Sequence, residues 1–440
     1  MALVKRAWMA FRRLAWQPLA FPKEGTVRVH ASDKIEEESL PGYVATHYCS
    51  VRIGQVLKER YQIVGKLGFG IASTVWLARD LEQCQHVALK LCIQSALLGS
   101  ELDTELEVYR RIAESPESHP GRSALRSLLD SFEVETPEGK HRCLVHTPLW
   151  ESMLSFKHRN PVGRLPQPVI AFMLKRLFHA LDLLHNECHV AHTDIKEANI
   201  LLPADSSIMT QFEKEELEQP SPMKEVDGGI IYLSREMGIP RAFGAPVLCD
   251  FGSAVSLDDG SEHREDIQPN FYRSPEVILD IPWTYKVDIW NVGCMIWDAF
   301  QGEHLFTGHD PEHNTYRGRA HLSEIIALLG PPPPSLLAQA NLRSKFFSDE
   351  GKLHPHSLLL IAHVVHEADL AIFKGEFSAG IPLLHPHPLE QRETTLQGGA
   401  NTEDRALFLQ FMRKMLQWHP ENRSSARELA EDEWILRHGT

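Results

Sequence analysis

His192-Thr193-Asp194-Ile195-Lys196-Glu197-Ala198-Asn199 sets a carboxylate, an amine and an amide at short fixed intervals, directly ahead of the apolar run Ile200-Leu201-Leu202. Such spacing suits a site that must manage charge. Where negative charge develops on the oxygens of a group in transfer, one carboxylate has to face the nucleophile while other groups hold cations and the leaving charge in line. The same letters also read as a turn between a helix and a strand. The rest of the chain has to decide between the two.

At 440 residues the chain can hold two or three ordinary domains, or one two-lobed enzyme with additions. Hydrophobic residues at 43% and charged residues at 24% allow a large core. The formal net charge of -14 argues against general nucleic-acid affinity, which needs clustered Lys and Arg, and leaves room for a basic partner. A mild acidic excess also keeps a protein soluble without any such role. The cysteines (Cys49, Cys84, Cys92, Cys143, Cys188, Cys249, Cys294) are odd in number and scattered, with no CxxC, and read as reduced, buried thiols of an intracellular protein. No apolar run reaches the roughly 18 to 20 residues that cross a bilayer. Ser357-Leu358-Leu359-Leu360-Ile361-Ala362, stopped by His363, is expected to be a core helix.

Residues 1–23 carry Lys5, Arg6, Arg12, Arg13 and Lys23 with no acid, and apolar Trp8, Met9, Phe11, Leu14, Ala15 and Trp16 among them. This is the composition of an organellar transit peptide, or of a disordered basic tail with no address. A linker with Glu36-Glu37-Glu38 and a Pro41-Gly42 turn follows, and residues 1–45 are expected to lie outside the fold. From Tyr61 the pattern becomes strand-like, and Lys66-Leu67-Gly68-Phe69-Gly70-Ile71-Ala72-Ser73-Thr74-Val75-Trp76 predicts a hairpin with a glycine-rich tip. Gly68 and Gly70 let backbone approach a triphosphate, although a plain hairpin turn accounts for them equally. Val87-Ala88-Leu89-Lys90 predicts a strand with one lysine among apolar neighbours, and residues 101–112 have helical spacing, with Glu105 and Glu107 on offer as its partner. Either glutamate could instead be a solvated helix charge.

Arg142-Cys143-Leu144-Val145 predicts a buried strand leading into His146-Thr147-Pro148-Leu149. Pro168 suits the first turn of a long helix whose apolar stripe is Val169, Phe172, Met173, Leu177, Leu181 and Leu184. Between Leu202 and Val247 lie the acidic 212–218, then Pro220-Ser221-Pro222 and Asp227-Gly228-Gly229, which read as a surface insertion with one helix and little to bury. After Val247-Leu248-Cys249 come Asp250-Phe251-Gly252, Gln268-Pro269-Asn270-Phe271-Tyr272-Arg273-Ser274-Pro275-Glu276, Asp288-Ile289-Trp290, and Arg423 in His419-Pro420-Glu421-Asn422-Arg423.

Glycine loop, strand lysine, helix glutamate, HTD-x4-N, DFG, SPE, DIW and late arginine, in this order over residues 61–437, resemble a eukaryotic protein kinase. Within that class the chain is similar to the SR-protein kinases, chiefly their fungal branch. That likeness rests on Leu67-Gly68-Phe69-Gly70 with Ser73-Thr74-Val75-Trp76-Leu77, on His192 to Lys196, on Glu265-Asp266-Ile267-Gln268 with Tyr272-Arg273-Ser274, and on His321 through Gly330. The resemblance implies an α+β, two-lobed fold: a β-rich lobe at 46–146, a helical lobe at 147–440, and a short spacer at 203–246. It implies Mg-ATP as phosphoryl donor and serines of Arg-Ser-rich splicing factors as acceptors. Asp194 would accept the substrate hydroxyl's proton, Lys196 would lie against the transferring phosphate, and Asn199 and Asp250 would hold magnesium. Leu67, Gly68, Gly70, Val75, Ala88, Lys90, Glu105, Thr147 and Leu149 would form the nucleotide site. Glu105 is preferred to Glu107 because Glu-Leu-x-Val-Tyr matches the usual Glu-Ile-x-x-Leu, and His146 would guard the back of the purine pocket. Glu276, buried against Arg423, and Asp288, holding the catalytic loop's backbone, would be structural.

Several departures bear on function. Ser73 replaces the third glycine, Pro269 stands where the family has Thr, and Thr193 replaces the Arg that usually pairs with an activation-segment phosphate. Activity without that phosphate is therefore expected. In the family an acidic groove draws in substrate arginines, but here Gly318, Arg319, Ala320 and Ala327 occupy its places and Glu324 is the acid left on that turn. The resemblance further implies a protein substrate with basic serine segments, a monomer with no direct nucleic-acid or membrane binding, and residence in cytoplasm or nucleus, or in mitochondria if residues 1–23 act as a transit peptide. The alternatives are a pseudokinase that binds nucleotide or a partner without transfer, and a small-molecule kinase, against which the SPE platform weighs.

Overall fold

The computed structural model describes residues 15–22, 25–203, 205–226, 229–258, 260–348, 377–396 and 402–439. The expected core helix at 357–363 and most of the basic N-terminal stretch lie outside these residues. The chain divides into two compact units, one of residues 1–109, 126–151 and 202–245, the other of 110–125, 152–201 and 246–440.

The first unit is built on an antiparallel sheet of β1 (Val56–Leu57), β2 (Tyr61–Gly70), β3 (Ser73–Asp80), β4 (Gln85–Gln94), β5 (Leu128–Thr136) and β6 (Gly139–His146), in the order β1-β2-β3-β4-β6-β5. Strand periodicity sorts its side chains. Trp76, Ala78, Val87, Leu89, Leu91, Cys143 and Val145 enter one apolar cluster with Tyr61, Ile63 and Phe132, and each such buried large side chain contributes about 1.5–3 kcal/mol. The residues between them on β3, β4 and β6 must face the other way. Helix α1 (Ser100–Glu114) follows β4.

Two expectations fail in this unit. The segment ahead of the sheet belongs to the fold: Trp16 N–H donates to Leu81 O at 2.8 Å, the Gln62 side chain exchanges hydrogen bonds with Leu19 N and O at 2.9 and 2.8 Å, and fully buried Lys66 meets Glu37 and, at 3.3 Å, Glu36. A buried ammonium needs carboxylate partners, and the acidic run that looked like linker supplies them. The spacer, expected within the helical lobe, groups with this sheet unit. Its helix (Ser206–Glu218) buries Phe212 against Gly65, and its hairpin (Met223–Val226 with Gly229–Tyr232) places Tyr232 edge-on to Trp76 at 5.9 Å, in the same cluster. Its few apolar residues are the ones that dock it.

The second unit is mainly helical. Helix α2 (Gln167–Asn186) has Pro168 in its first turn and buries Ile170, Met173, Leu174, Leu177, Phe178, Leu181 and Leu184. The buried stripe is turned from the expected one: Phe172 is exposed, while Ile170, Leu174 and Phe178 are core. Helix α3 (Lys286–Gln301) is buried from Val287 to Gln301, and Gly302, at φ +83°, ends it in the left-handed conformation that glycine takes without strain. Helix α4 (Gly318–Leu329) follows. All seven cysteines are free thiols, buried except Cys84, which is half-buried. Among the described residues, no helix is long and apolar enough to cross a membrane.

Candidate active site

In the sheet unit, register alone gathers much of the expected nucleotide set. Val75 pairs with Lys90 and Lys90 with Leu144, while Leu77 pairs with Ala88 and Ala88 with His146. Directly paired residues share a face, as do residues two apart. Val75, Ala88, Lys90 and His146 therefore lie on the face opposite the apolar cluster, and Gly68, paired with Val75, belongs with them. Leu67 falls in the irregular step between Lys66 and Gly68. A Cβ built on Gly68 meets nothing within 4 Å. Packing thus gives no reason for a glycine there, whereas a ligand passing over the hairpin does.

The Lys90 ammonium lies 2.9 and 3.0 Å from the two oxygens of buried Glu105, so Glu105 is the α1 carboxylate that meets it. Held from one side, the cation is aimed without needing a rotamer search when an anion arrives. His146 is fully buried and has Nδ1 2.9 Å from Ser127 O. Burial, with Arg126 and Lys90 adding positive charge nearby, holds its imidazole well below the usual range, so it is neutral. Beyond it Thr147 is exposed and Leu149 is buried.

In the helical unit, a short ladder pairs Ile200–Leu201 with Val247–Leu248, which brings the loop before one strand beside the loop after the other. Cys249 N–H donates to Asn199 O at 2.8 Å, His192 Nε2 lies 3.1 Å from Cys249 O, and the His192 ring meets buried Phe251 edge-on at 5.5 Å. Asp194 is the hub. Lys196 Nζ donates to its Oδ2 at 2.7 Å, and the Asn199 amide donates to its Oδ2 and its backbone O, both at 2.9 Å. The Asn199 nitrogen is thus committed, and its carbonyl oxygen remains as a donor atom for a cation. Asp250 is exposed at φ +65°. The Asn199 carbonyl and the Asp250 carboxylate are hard oxygen ligands, a set that fits magnesium.

The loop is held from beneath. The buried Asp288 carboxylate accepts the N–H groups of His192 and Thr193 at 2.8 Å each, with His185 Nε2 at 2.9 Å, and the Asn291 amide donates to Ile195 O at 2.9 Å. Thr193, at φ +65°, donates its hydroxyl to Ser253 O at 2.6 Å. Glu276 and Arg423, both fully buried, form a two-pronged pair at 2.6 and 2.7 Å. Sequence reasoning missed Asn291 and Gln268. Asn291 lies three residues after Asp288, on the same side of the helix, which was a usable signal.

A model of the protein kinase domain matches residues 61–435. This chain belongs to the protein kinase family. A serine/threonine protein kinase of Aspergillus fumigatus (strain Af293) is 39% identical over 407 residues, covering 92% of this kinase and 91% of that protein. The serine/threonine-protein kinase SRPK of Physarum polycephalum is 30% identical over 343 residues, covering 72% and 78%. SRSF protein kinase 3 of Homo sapiens is 22% identical over 546 residues, covering 92% and 91%. The kinase is thus a serine/threonine protein kinase of the SR-protein kinase type, with ATP as its phosphoryl donor and proteins as its substrates.

Proposed function

We propose that this kinase phosphorylates serines in basic, Arg-Ser-type segments of proteins such as splicing factors, acting as a monomer in the cytoplasm or nucleus with magnesium as its metal. The observation that carries the catalytic part is the convergence of Lys196 and Asn199 on the Asp194 carboxylate. Asp194, fixed in this way, accepts the proton of the incoming serine hydroxyl, which makes the oxygen nucleophilic as it attacks the terminal phosphorus. Lys196 then exchanges its bond to Asp194 for the negative charge spreading on the transferred group. Lys90, oriented by Glu105, holds the phosphates that stay behind, while Gly68 and Gly70 let the hairpin backbone close over them. Val75 and Ala88 provide the apolar face for the base beside Leu67, with the Thr147 and Leu149 backbones reading its edge. Asn199 and Asp250 would hold magnesium, which when bound supplies positive charge to the phosphate oxygens.

Support for the substrate class comes from the relatives named as SRPK and SRSF kinases and from the acidic balance of the chain. The test is incubation with labelled ATP and matched peptides in which a serine is flanked by arginines, by acids or by neutral residues. Preferential labelling of the arginine-flanked serine is expected, and labelling of the acidic peptide instead would overturn the substrate assignment. Replacing magnesium by calcium should abolish transfer.

A further inference from the structure

The tip of the glycine-rich hairpin is held by a residue from outside the sheet. Gly70 and Ser73 are the last pair of the β2–β3 ladder, so Ile71 and Ala72 form the turn. Turn carbonyls at a hairpin tip normally face water, and such tips are among the first parts of a fold to move. Here the Tyr48 hydroxyl lies 3.2 Å from Gly70 O and 3.0 Å from Ile71 O, sharing its one proton between them, and Ile93 N–H donates to Ala72 O at 2.9 Å. Tyr48 is itself fixed. Its ring packs on Tyr43 at 5.3 Å, and the Gln94 side chain donates to Thr46 O at 2.8 Å, which ties the segment to β4, the strand that carries Lys90.

We propose that Tyr48 is a positioning residue for the nucleotide, holding the hairpin tip ordered before ATP arrives. This rests on reading the hairpin as the cover over the ATP phosphates. A ligand that needs an ordered tip binds more weakly by the fraction of time the tip is disordered, so Tyr48 sets apparent ATP affinity rather than the chemical step. Among the described residues its hydroxyl is given over to two backbone carbonyls of the tip, so its role is to position the hairpin.

The experiment compares Tyr48→Phe, Tyr43→Phe and Gly68→Val in the full chain, measuring KM for ATP, KM for a serine peptide, kcat, thermal midpoint and amide exchange over residues 68–73. Tyr48→Phe keeps the ring and removes one shared hydrogen bond, so KM for ATP should rise roughly three- to tenfold. Faster exchange at the tip should accompany it, with kcat, peptide KM and thermal midpoint unchanged. Tyr43→Phe should leave all values as they are. Gly68→Val tests the underlying reading, because a Cβ there has room in the protein and would stand in the path of a ligand crossing the hairpin. If Gly68→Val raises KM for ATP while Tyr48→Phe does not, the role of Tyr48 is wrong and the hairpin reading stands. If neither variant moves it, the hairpin is not the nucleotide cover and both ideas fall. An equal rise in Tyr43→Phe, or a rise accompanied by a lower thermal midpoint, would show a structural effect and overturn the proposal.

Discussion

Arg319 closes its guanidinium on the buried carboxylate of Asp310, with Nε 2.5 Å from one oxygen and a terminal nitrogen 3.0 Å from the other. The same side chain reaches Glu312 and, at 3.1 Å, Ala379 O. Asp310 and Glu312 are therefore occupied by an arginine of this chain. Glu324 is engaged too, accepting from Thr307 N–H and hydroxyl at 2.7 and 2.6 Å and from Gly308 N–H at 2.9 Å. Ala320 and Ala327 are buried and offer no charge. A long Arg-Ser substrate should consequently be held weakly, with few phosphates added per encounter. Counting phosphates before release, at low and moderate salt, checks this; many additions that survive a Glu324→Lys change would show that basic substrates dock elsewhere.

Lys90→Met and Asp194→Asn remove charges that act on nucleotide and substrate. Each should lower turnover by more than about a hundredfold, the usual consequence of losing a group that faces developing charge. Asp194→Asn should leave the thermal midpoint near wild type, whereas Lys90→Met, which removes the cation facing buried Glu105, should lower it while leaving the protein folded. Turnover above about a tenth of wild type in either variant would remove that residue from the mechanism.

Activity should not require a phosphate on the activation segment. Thr193 stands where an arginine would read such a phosphate, and its hydroxyl is already bound to Ser253 O. The segment is instead fixed by Gln268, held at φ +72°, whose amide donates to Val287 O at 2.9 Å and Asn291 Oδ1 at 2.6 Å while its oxygen accepts Ser274 N–H at 2.9 Å. Phosphatase-treated protein should match untreated protein in kcat/KM. Gln268→Ala should lose roughly tenfold, since it frees a strained backbone and leaves buried groups unpaired.

What could be read from the sequence had a period or a fixed spacing behind it. The strand-like Val87-Ala88-Leu89-Lys90 put one lysine among apolar neighbours, and the match of Glu-Leu-x-Val-Tyr to the kinase pattern Glu-Ile-x-x-Leu, rather than helical spacing, singled out Glu105 over Glu107. The parts that escaped reading are held by partners far along the chain. Glu36 and Glu37 looked like linker because Lys66 and Ser234 are not visible from their neighbourhood, and Tyr48 carries no pattern that points to Gly70. Phe212 and Tyr232 sit in acidic or turn-rich surroundings, so composition hid that each buries in the sheet unit. Asn291 had its place one helical turn after Asp288 to signal it, but Gln268 becomes evident only once the backbone brings it within 3 Å of Asn291.

Breaking the Glu276–Arg423 pair should be the most destabilising single change at any polar residue named above. Both side chains are fully buried, and removing one leaves the other charge without water or counter-ion. Arg423→Met should cost about 3–5 kcal/mol. A double change to apolar residues should recover much of that loss, because the uncompensated charge is gone. Urea unfolding of the single and double variants checks both statements, and a single-variant cost below about 1 kcal/mol, the range of an exposed pair, would contradict them.

His304 links this platform to pH. Its Nδ1 lies 2.6 Å from the Asp298 carboxylate, which also accepts the Tyr272 hydroxyl at 2.6 Å, and its ring stacks on Phe271 of the activation segment at 4.3 Å. The hydrogen bond to Asp298 raises the imidazole above its usual value against the opposing effect of burial, with Lys157 lowering it and Glu197 raising it further. A raised value in the folded state means that the folded protein binds this proton more tightly than the unfolded chain does. The stabilisation is therefore fully present below about pH 6.5, the unfolded value, and is lost as pH rises through the folded one. The difference in thermal midpoint between wild type and His304→Asn should thus be largest under mildly acidic conditions and shrink toward alkaline pH. A difference that stays constant over that range would show that His304 contributes only its stacking on Phe271.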